Sequence, residues 1–198
     1  MREFRRVTGT VAVLDRADID TDQIIPKQFL KRIERSGYGE FLFFDWMKDP
    51  DFALRRPASR GASILLTGRN FGCGSSREHA AWALEDAGFR AVLAPSFGDI
   101  FHANALKTGL VPIELDEEVL AVIRDALAGD NELTVDLEAC ELTHPGGLRI
   151  AFELDAFARD MLLDGLDEIA LTLRREEQIS RYEASHWPRF DTRALAES

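Results

Sequence analysis

Cysteine is scarce, with only Cys73 and Cys140 in 198 residues. One pair cannot build the disulfide framework of a small secreted domain. It also falls short of the three or more thiolates that an iron–sulfur cluster takes from a single chain. Positive charge is in deficit too: 24 Lys and Arg stand against 35 Asp and Glu, a formal net charge of −11. Nucleic-acid binding runs on phosphate neutralisation by a basic patch, so that partner is not expected. A small anionic substrate remains possible, because a few cations can dominate one pocket. No apolar run approaches the roughly 18 residues of a membrane-spanning helix. The basic residues of Met1–Arg6 are not followed by the apolar stretch of a secretory signal. A cytoplasmic protein without membrane contact is the expectation. The four histidines, at 79, 102, 144 and 186, lack metal-ligand spacing, and no metal bound by this chain is expected.

Hydrophobic residues make up 45% of the chain, enough for one ordinary core. We expect residues 1–186 to form a single domain and 187–198 a C-terminal tail. Ile64–Leu66 reads as a buried strand, and a helix is expected from Ser76 to about Ala87, closed by Gly88. Between them lies Gly68–Arg69–Asn70–Phe71–Gly72–Cys73–Gly74–Ser75–Ser76–Arg77. Glycines let backbone approach a ligand closely and take positive φ. A helix start then aims unpaired N–H groups at whatever the loop holds. With Arg77 in the first turn, the stretch reads as an anion site containing two serine hydroxyls. The plainer reading is a capping box, Ser75-x-x-Glu78. The pattern is neither a nucleotide P-loop, since no lysine precedes the serine, nor the G-x-S-x-G of a nucleophile elbow. His79 stands four residues after Ser75, where a Ser–His pair would be in reach, but no third group is evident to orient it. Cys73 lies in the same electropositive loop, which would lower its pKa and open it to oxidation, but a small residue that merely fits there is the favoured reading.

Elsewhere, Val7–Leu14, Ala91–Ala94 and Leu110–Leu115 read as strands, the last an edge strand because of Pro112. Ser96-x-x-Asp99 looks like a capped helix start, and Gly109 ends that helix. Asp116 caps a helix through Leu127. Leu133–Leu137 and Leu148–Phe152 read as paired strands around Pro145–Gly146–Gly147. Helices are expected over Asp155–Leu163 and Glu168–Tyr182. The alternation shows no tidy β-α-β period, which favours a compact three-layer β/β/α domain over a doubly wound sheet. Asp18–Ile19–Asp20–Thr21–Asp22 invites a calcium reading, but the sixth position is Gln23 and the twelfth Phe29, where Gly and Glu are required. The aromatic cluster Phe41, Leu42, Phe43, Phe44, Trp46 reads as core or as an interface patch.

Asn70–Ala80 resembles the active-site loop of the swivelling domain of the aconitase superfamily, and most closely the small-subunit family of 3-isopropylmalate dehydratase. Asp18–Leu30, Ala94–Phe101 and Gly165–Leu166–Asp167 agree with it, so the likeness runs over nearly the whole chain. The resemblance implies an α/β fold of the aconitase swivel type. It also implies a hydro-lyase that interconverts 2- and 3-isopropylmalate through the alkene, in leucine biosynthesis. Such a chain works only with a large subunit, which carries a 4Fe-4S cluster whose open iron takes the leaving hydroxide.

Carried onto this sequence, the resemblance makes Ser75 the base that removes a carbon-bound proton and Arg77 the clamp on a substrate carboxylate. Ser76 and Thr21 become substrate contacts, and Asp22 a residue that holds Ser75 or a partner histidine in register. Residues 27–35 match the specificity loop. Phe29 and Leu30 there suit an isopropyl group and are expected to contact the substrate, with plain core packing as the alternative. Lys31 falls near the arginine of relatives that take a longer dicarboxylate. A homoaconitate- or citramalate-type substrate is therefore the nearest alternative. A non-catalytic carboxylate-binding module and a stand-alone serine hydrolase are the others.

Overall fold

The computed structural model describes residues 1–31 and 35–186. By compactness the chain divides into Met1–Gly165 and Leu166–Ser198. The first unit is built on a seven-stranded sheet. Its strands are β1 (Arg6–Leu14), β2 (Ile64–Thr67), β3 (Ala91–Ala94), β4 (Val111–Glu114), β5 (Glu132–Asp136), β6 (Glu141–Thr143) and β7 (Arg149–Ala151), in the order β4-β3-β2-β1-β5-β6-β7. The long first strand serves two halves. Its end, Val11–Leu14, pairs in parallel with β2, and its start, Arg6–Thr10, pairs antiparallel with β5.

Among the described residues this unit has five α-helices, α1 (Thr21–Ile24), α2 (Glu78–Asp86), α3 (Asp99–Thr108), α4 (Glu117–Leu127) and α5 (Ala156–Asp164), and several single 3-10 turns between Lys27 and Ser59. Strand residues alternate between two cores. Ala12, Leu65, Val92 and Ala94 pack with Ala80, Ala81 and Leu84 of α2 and Phe101 of α3. Val11, Ile64, Leu66, Ala91 and Leu93 pack with Leu120 and Ile123 of α4, and with Leu133, Val135 and Leu142 of the antiparallel arm. Both faces of the parallel half are therefore covered, which is why its strands read as unbroken apolar runs. Helices, parallel strands and the returning antiparallel arm make the three layers expected. The aromatic cluster resolves as core, with Leu42 and Phe43 buried and Phe41 and Trp46 packed against them.

Four details differ from the sequence pattern. Between Ile64 and Glu114 the chain is a regular β-α-β-α-β. It is not doubly wound, because the parallel strands β1–β4 step one way only and the chain then returns to the far side of β1 as the antiparallel β5. The strands around Pro145 do not pair as expected. Glu141–Thr143 is a separate strand, so β5 pairs with β6 and β6 with β7. Cys140 in the left-handed region (φ 51°) and a bond from Ala139 N–H to Asp136 make the tight return that inserts it. Among the described residues of the second unit there are two helices, α6 (Glu168–Leu173) and α7 (Glu176–His186), in place of one. The tightened bond from Arg175 N–H to Thr172 C=O marks the break. Finally, Ser96 caps nothing, since Gly98 is the N-cap of α3. Pro112 does lie on the edge strand β4. The tail 187–198 falls outside the described residues.

Candidate active site

Three loops leave the C-terminal ends of β1, β2 and β3 and meet. In open parallel sheets this edge is where ligands are bound. The loop after β2 is held from both sides. On one side Gly72 N–H donates to Ile19 C=O (2.7 Å), Thr21 N–H to Cys73 C=O (3.0 Å) and Asp18 N–H to Arg69 C=O (2.9 Å). On the other, Phe71 N–H donates to Ser96 C=O (3.1 Å) and Gly98 N–H to Phe71 C=O (2.9 Å). The Ser96 hydroxyl accepts from Asn70 N–H (2.9 Å). Asn70, Gly72 and Gly74 all lie at positive φ (57°, 73° and 91°), the bends that let one short loop satisfy both neighbours.

Ser75 and Ser76 end this loop, and both are exposed. The helix begins two residues later than the sequence pattern suggests. Arg77 is the N-cap, in extended conformation, and no side chain caps the N-terminus of α2. The capping box of Ser75 and Glu78 is therefore absent, and the first N–H groups of a nine-residue helix stay free to stabilise negative charge.

The three aspartates of residues 18–22 do three different jobs. Asp18 accepts from Asn70 Nδ2 (2.8 Å) and pairs with Arg69 (3.3 Å). Asp20 closes a capping box with Gln23 at the start of α1. Asp22 takes both arms of the Arg77 fork, through Nη1 to Oδ1 and through Nη2 to Oδ2 at 3.0 Å. With each carboxylate so engaged, the run offers no calcium cradle. No cluster of three or more His, Cys, Asp or Glu is placed to hold a metal among the described residues.

This arrangement revises several expected roles. Asp22 binds Arg77 and not Ser75, and it also accepts the backbone N–H of Lys27. It thereby ties the serine loop to the start of the specificity loop. Arg77 is mostly buried and already holds a carboxylate, so only its remaining N–H groups are open to a substrate. Thr21 is 2% exposed and its hydroxyl donates to Ser75 C=O (3.1 Å). It positions the loop and does not face a ligand. Phe29 stacks on Phe41 (centroids 4.1 Å apart) and meets Phe44 edge-on, and Leu30 packs against the same core, which is the alternative to the substrate contact expected of both. Lys31 is exposed. Residues 32–34 of the specificity loop lie outside the described residues.

His79 packs its ring against Tyr38 and Trp82, and burial pushes its pKa down. It makes no hydrogen bond with Ser75 among the described residues, which removes the support for a hydrolase pair. The expected lowering at Cys73 is reversed. Burial first, then Asp20 and Asp18, push its thiol up, so it is the small residue that fits and not an activated thiolate.

The Arg77 hydrogen bond holds the Asp22 carboxyl below the usual carboxylate range. A depressed pKa adds stability above the unfolded value near pH 4 and loses it as pH falls through the lower folded value. Asp22→Asn is expected to flatten part of the acid limb of the stability curve. Urea midpoints measured between about pH 2.5 and 6 check this.

A family model described as the aconitase C-terminal domain matches residues 1–118, and one described as LeuD_N matches 123–156. The 3-isopropylmalate dehydratase small subunit of Halalkalibacterium halodurans is 53% identical over 192 residues, covering 93% of this chain and 99% of its own. That of Rhodopirellula baltica is 55% identical over 192 residues, covering 92% and 98%. The chain belongs to the family of 3-isopropylmalate dehydratase small subunits. A solved 3-isopropylmalate dehydratase structure from Methanocaldococcus jannaschii superposes with a TM-score of 0.66 at 27% identity, covering 89% of this chain and 99% of that one.

Proposed function

We propose that this chain is the small subunit of a 3-isopropylmalate dehydratase, interconverting 2- and 3-isopropylmalate by dehydration and rehydration. The observation that carries the reading is the exposed Ser75 beside the uncapped start of α2, on a loop whose backbone is tied down on both sides.

The demanding step is loss of a carbon-bound proton. A serine hydroxyl takes it only where its alkoxide is stabilised, and the free N–H groups of α2 supply that stabilisation. Ser75 accordingly holds and returns the proton at Oγ. Ser76 and the free N–H groups of Arg77 orient a carboxylate of the dicarboxylate substrate. Arg77 is kept in place by Asp22 and needs no reorganisation when substrate arrives.

Arg77→Lys replaces a two-armed fork with a point charge and loosens both loops. A fall in kcat/KM of roughly 10- to 100-fold is expected, about 1.4–2.7 kcal/mol. Steady-state kinetics of the reconstituted enzyme measure it.

The residues of this chain do not fit an iron–sulfur cluster. Cys73 and Cys140 are both free thiols, and no metal-binding group of three forms among the described residues. In this reading the 4Fe-4S cluster, with its Lewis-acid chemistry, belongs to the large-subunit partner. The purified chain is expected to show no iron absorbance and no turnover, and activity is expected on mixing with the large subunit. Turnover by the chain alone would overturn the two-subunit reading. A panel of 2-isopropylmalate, citramalate and homoaconitate tests the substrate. Preference for homoaconitate would assign the exposed Lys31 to a second carboxylate.

A further inference from the structure

The loop that carries Ser75 leaves β2 through a bend where two non-glycine residues lie in the left-handed region. Asp18 (φ 56°) stands on the loop after β1, and Asn70 (φ 57°) on the loop after β2. Left-handed backbone is costly for an L side chain and persists where the surroundings enforce it. Here each residue enforces the other. Asn70 Nδ2 donates to Asp18 Oδ1 (2.8 Å), and Asp18 N–H donates to Arg69 C=O (2.9 Å).

The third loop closes the bend from the opposite side. Ser96, two residues past the end of β3, takes two successive N–H groups of the second loop. Its hydroxyl accepts from Asn70 (2.9 Å) and its carbonyl from Phe71 (3.1 Å). Asn70 is thus tied by its side chain to the first loop and by its backbone to the third. Both of those ties end on a side chain, so single substitutions remove them and leave the backbone bonds in place.

Ser75 follows Asn70 by five residues. A change of φ at residue 70 redirects everything after it, with a lever of up to about 3.6 Å per residue. The Thr21 bond to the Ser75 carbonyl fixes one point, and the direction from which the chain reaches that point is set at Asn70. Arg77 has its own anchor beyond the serine, the Asp22 carboxylate.

We propose that Asn70 and Ser96 are positioning residues for the proton step: they hold the foot of the loop so that Ser75 Oγ stands at the start of α2. Neither has to touch the substrate. The inference rests on the reading of Ser75 as the base. It assigns to the loop foot the precision of proton transfer and leaves the binding of the substrate carboxylate to Arg77.

The test uses the enzyme reconstituted with its large subunit. Ser96→Ala is expected to lower kcat about 10- to 100-fold, the effect of a small misplacement of a reacting group. KM is expected to stay within about twofold, because the anchor of Arg77 is untouched. Ser96→Thr keeps the hydroxyl and is expected to recover most of the rate. Asn70→Gly suits the same φ, keeps the N–H to Ser96 and loses only the Asp18 bond, and a fall in kcat of about tenfold is expected. Should Ser96→Ala fail to fold, Asn70→Gly carries the test. The deciding readout is the deuterium isotope effect on kcat, with 2-isopropylmalate deuterated at C3, the carbon that loses its proton. A misplaced base slows C–H cleavage relative to the other steps, so the isotope effect is expected to rise in both variants and to return in Ser96→Thr. A smaller amount of folded enzyme lowers the rate and leaves the isotope effect alone. A fall in kcat with an unchanged isotope effect would therefore overturn the proposal. So would wild-type kcat in Ser96→Ala and Asn70→Gly beside an inactive Ser75→Ala, a result that leaves the reading of Ser75 standing. Turnover by Ser75→Ala would remove that reading and this inference with it.

Discussion

Ser75→Ala is expected to leave the small subunit folded and assembled with its large subunit, and to lower turnover by about 10²- to 10⁴-fold, the usual worth of a positioned acid–base group. The structural cost is small. Ser75 is exposed, its side chain caps nothing, and the Thr21 bond to this residue runs to the backbone carbonyl, which alanine keeps. The chemical cost is large, because no other hydroxyl occupies the same place on the loop. Size-exclusion chromatography of the complex and kcat on 2-isopropylmalate read the two effects separately. Assembly without turnover is the expected result. Near-normal turnover would reject Ser75 as the base.

Gly98→Ala is expected to damage both fold and activity through a single methyl group. A Cβ at this position would lie 2.7 Å from Gly72 C=O and 3.1 Å from the Cys73 Cα. Both atoms are backbone, so no rotamer change relieves the clash. Gly98 itself has an ordinary conformation (φ −66°, ψ 132°), so the cost is purely steric. The methyl group must push residues 72–73 off residues 97–98, which stretches the bond from Gly98 N–H to Phe71 C=O and moves the stem that carries Ser75. Overpacking of this kind costs about 1–3 kcal/mol, and a displacement of some 1 Å at a catalytic group can cost on the order of 100-fold in rate. Gly129→Ala is the control. Its nearest neighbour would be 3.8 Å from the new carbon, and it is expected to be near neutral. Urea denaturation and kcat on both variants check the contrast.

The two positions show where sequence reading stops. Gly72 and Gly74 announce themselves inside a glycine-rich loop, and positive φ at both justifies them. Gly98 is invisible as a site residue, because its neighbour across the gap is 26 residues away and the constraint is a distance between two backbones. Ser96 is similar. Its spacing to Asp99 imitates a helix cap, and only the packed loops reveal that it holds Asn70. The aspartates of 18–22 were legible as a cluster, and their division of labour was not. An i, i+2, i+4 run says that carboxylates are near one another; the partners of Asp18 and Asp22 come from residues 69–77, while Asp20 caps its own helix through Gln23.

From its order of residues alone this chain specified the buried strands, the glycine bend, the scarcity of thiols and the likeness to one family. These are local patterns, and periodicity and composition carry them. Tertiary structure decided that Arg77 is shared with Asp22, that Thr21 faces inward, that the Cys73 thiol is raised and that Ser75 reaches solvent beside a bare helix start. Each of those outcomes is set by which backbone lies within about 3 Å of another, a quantity that arises only when three separated loops close over the same edge of a sheet.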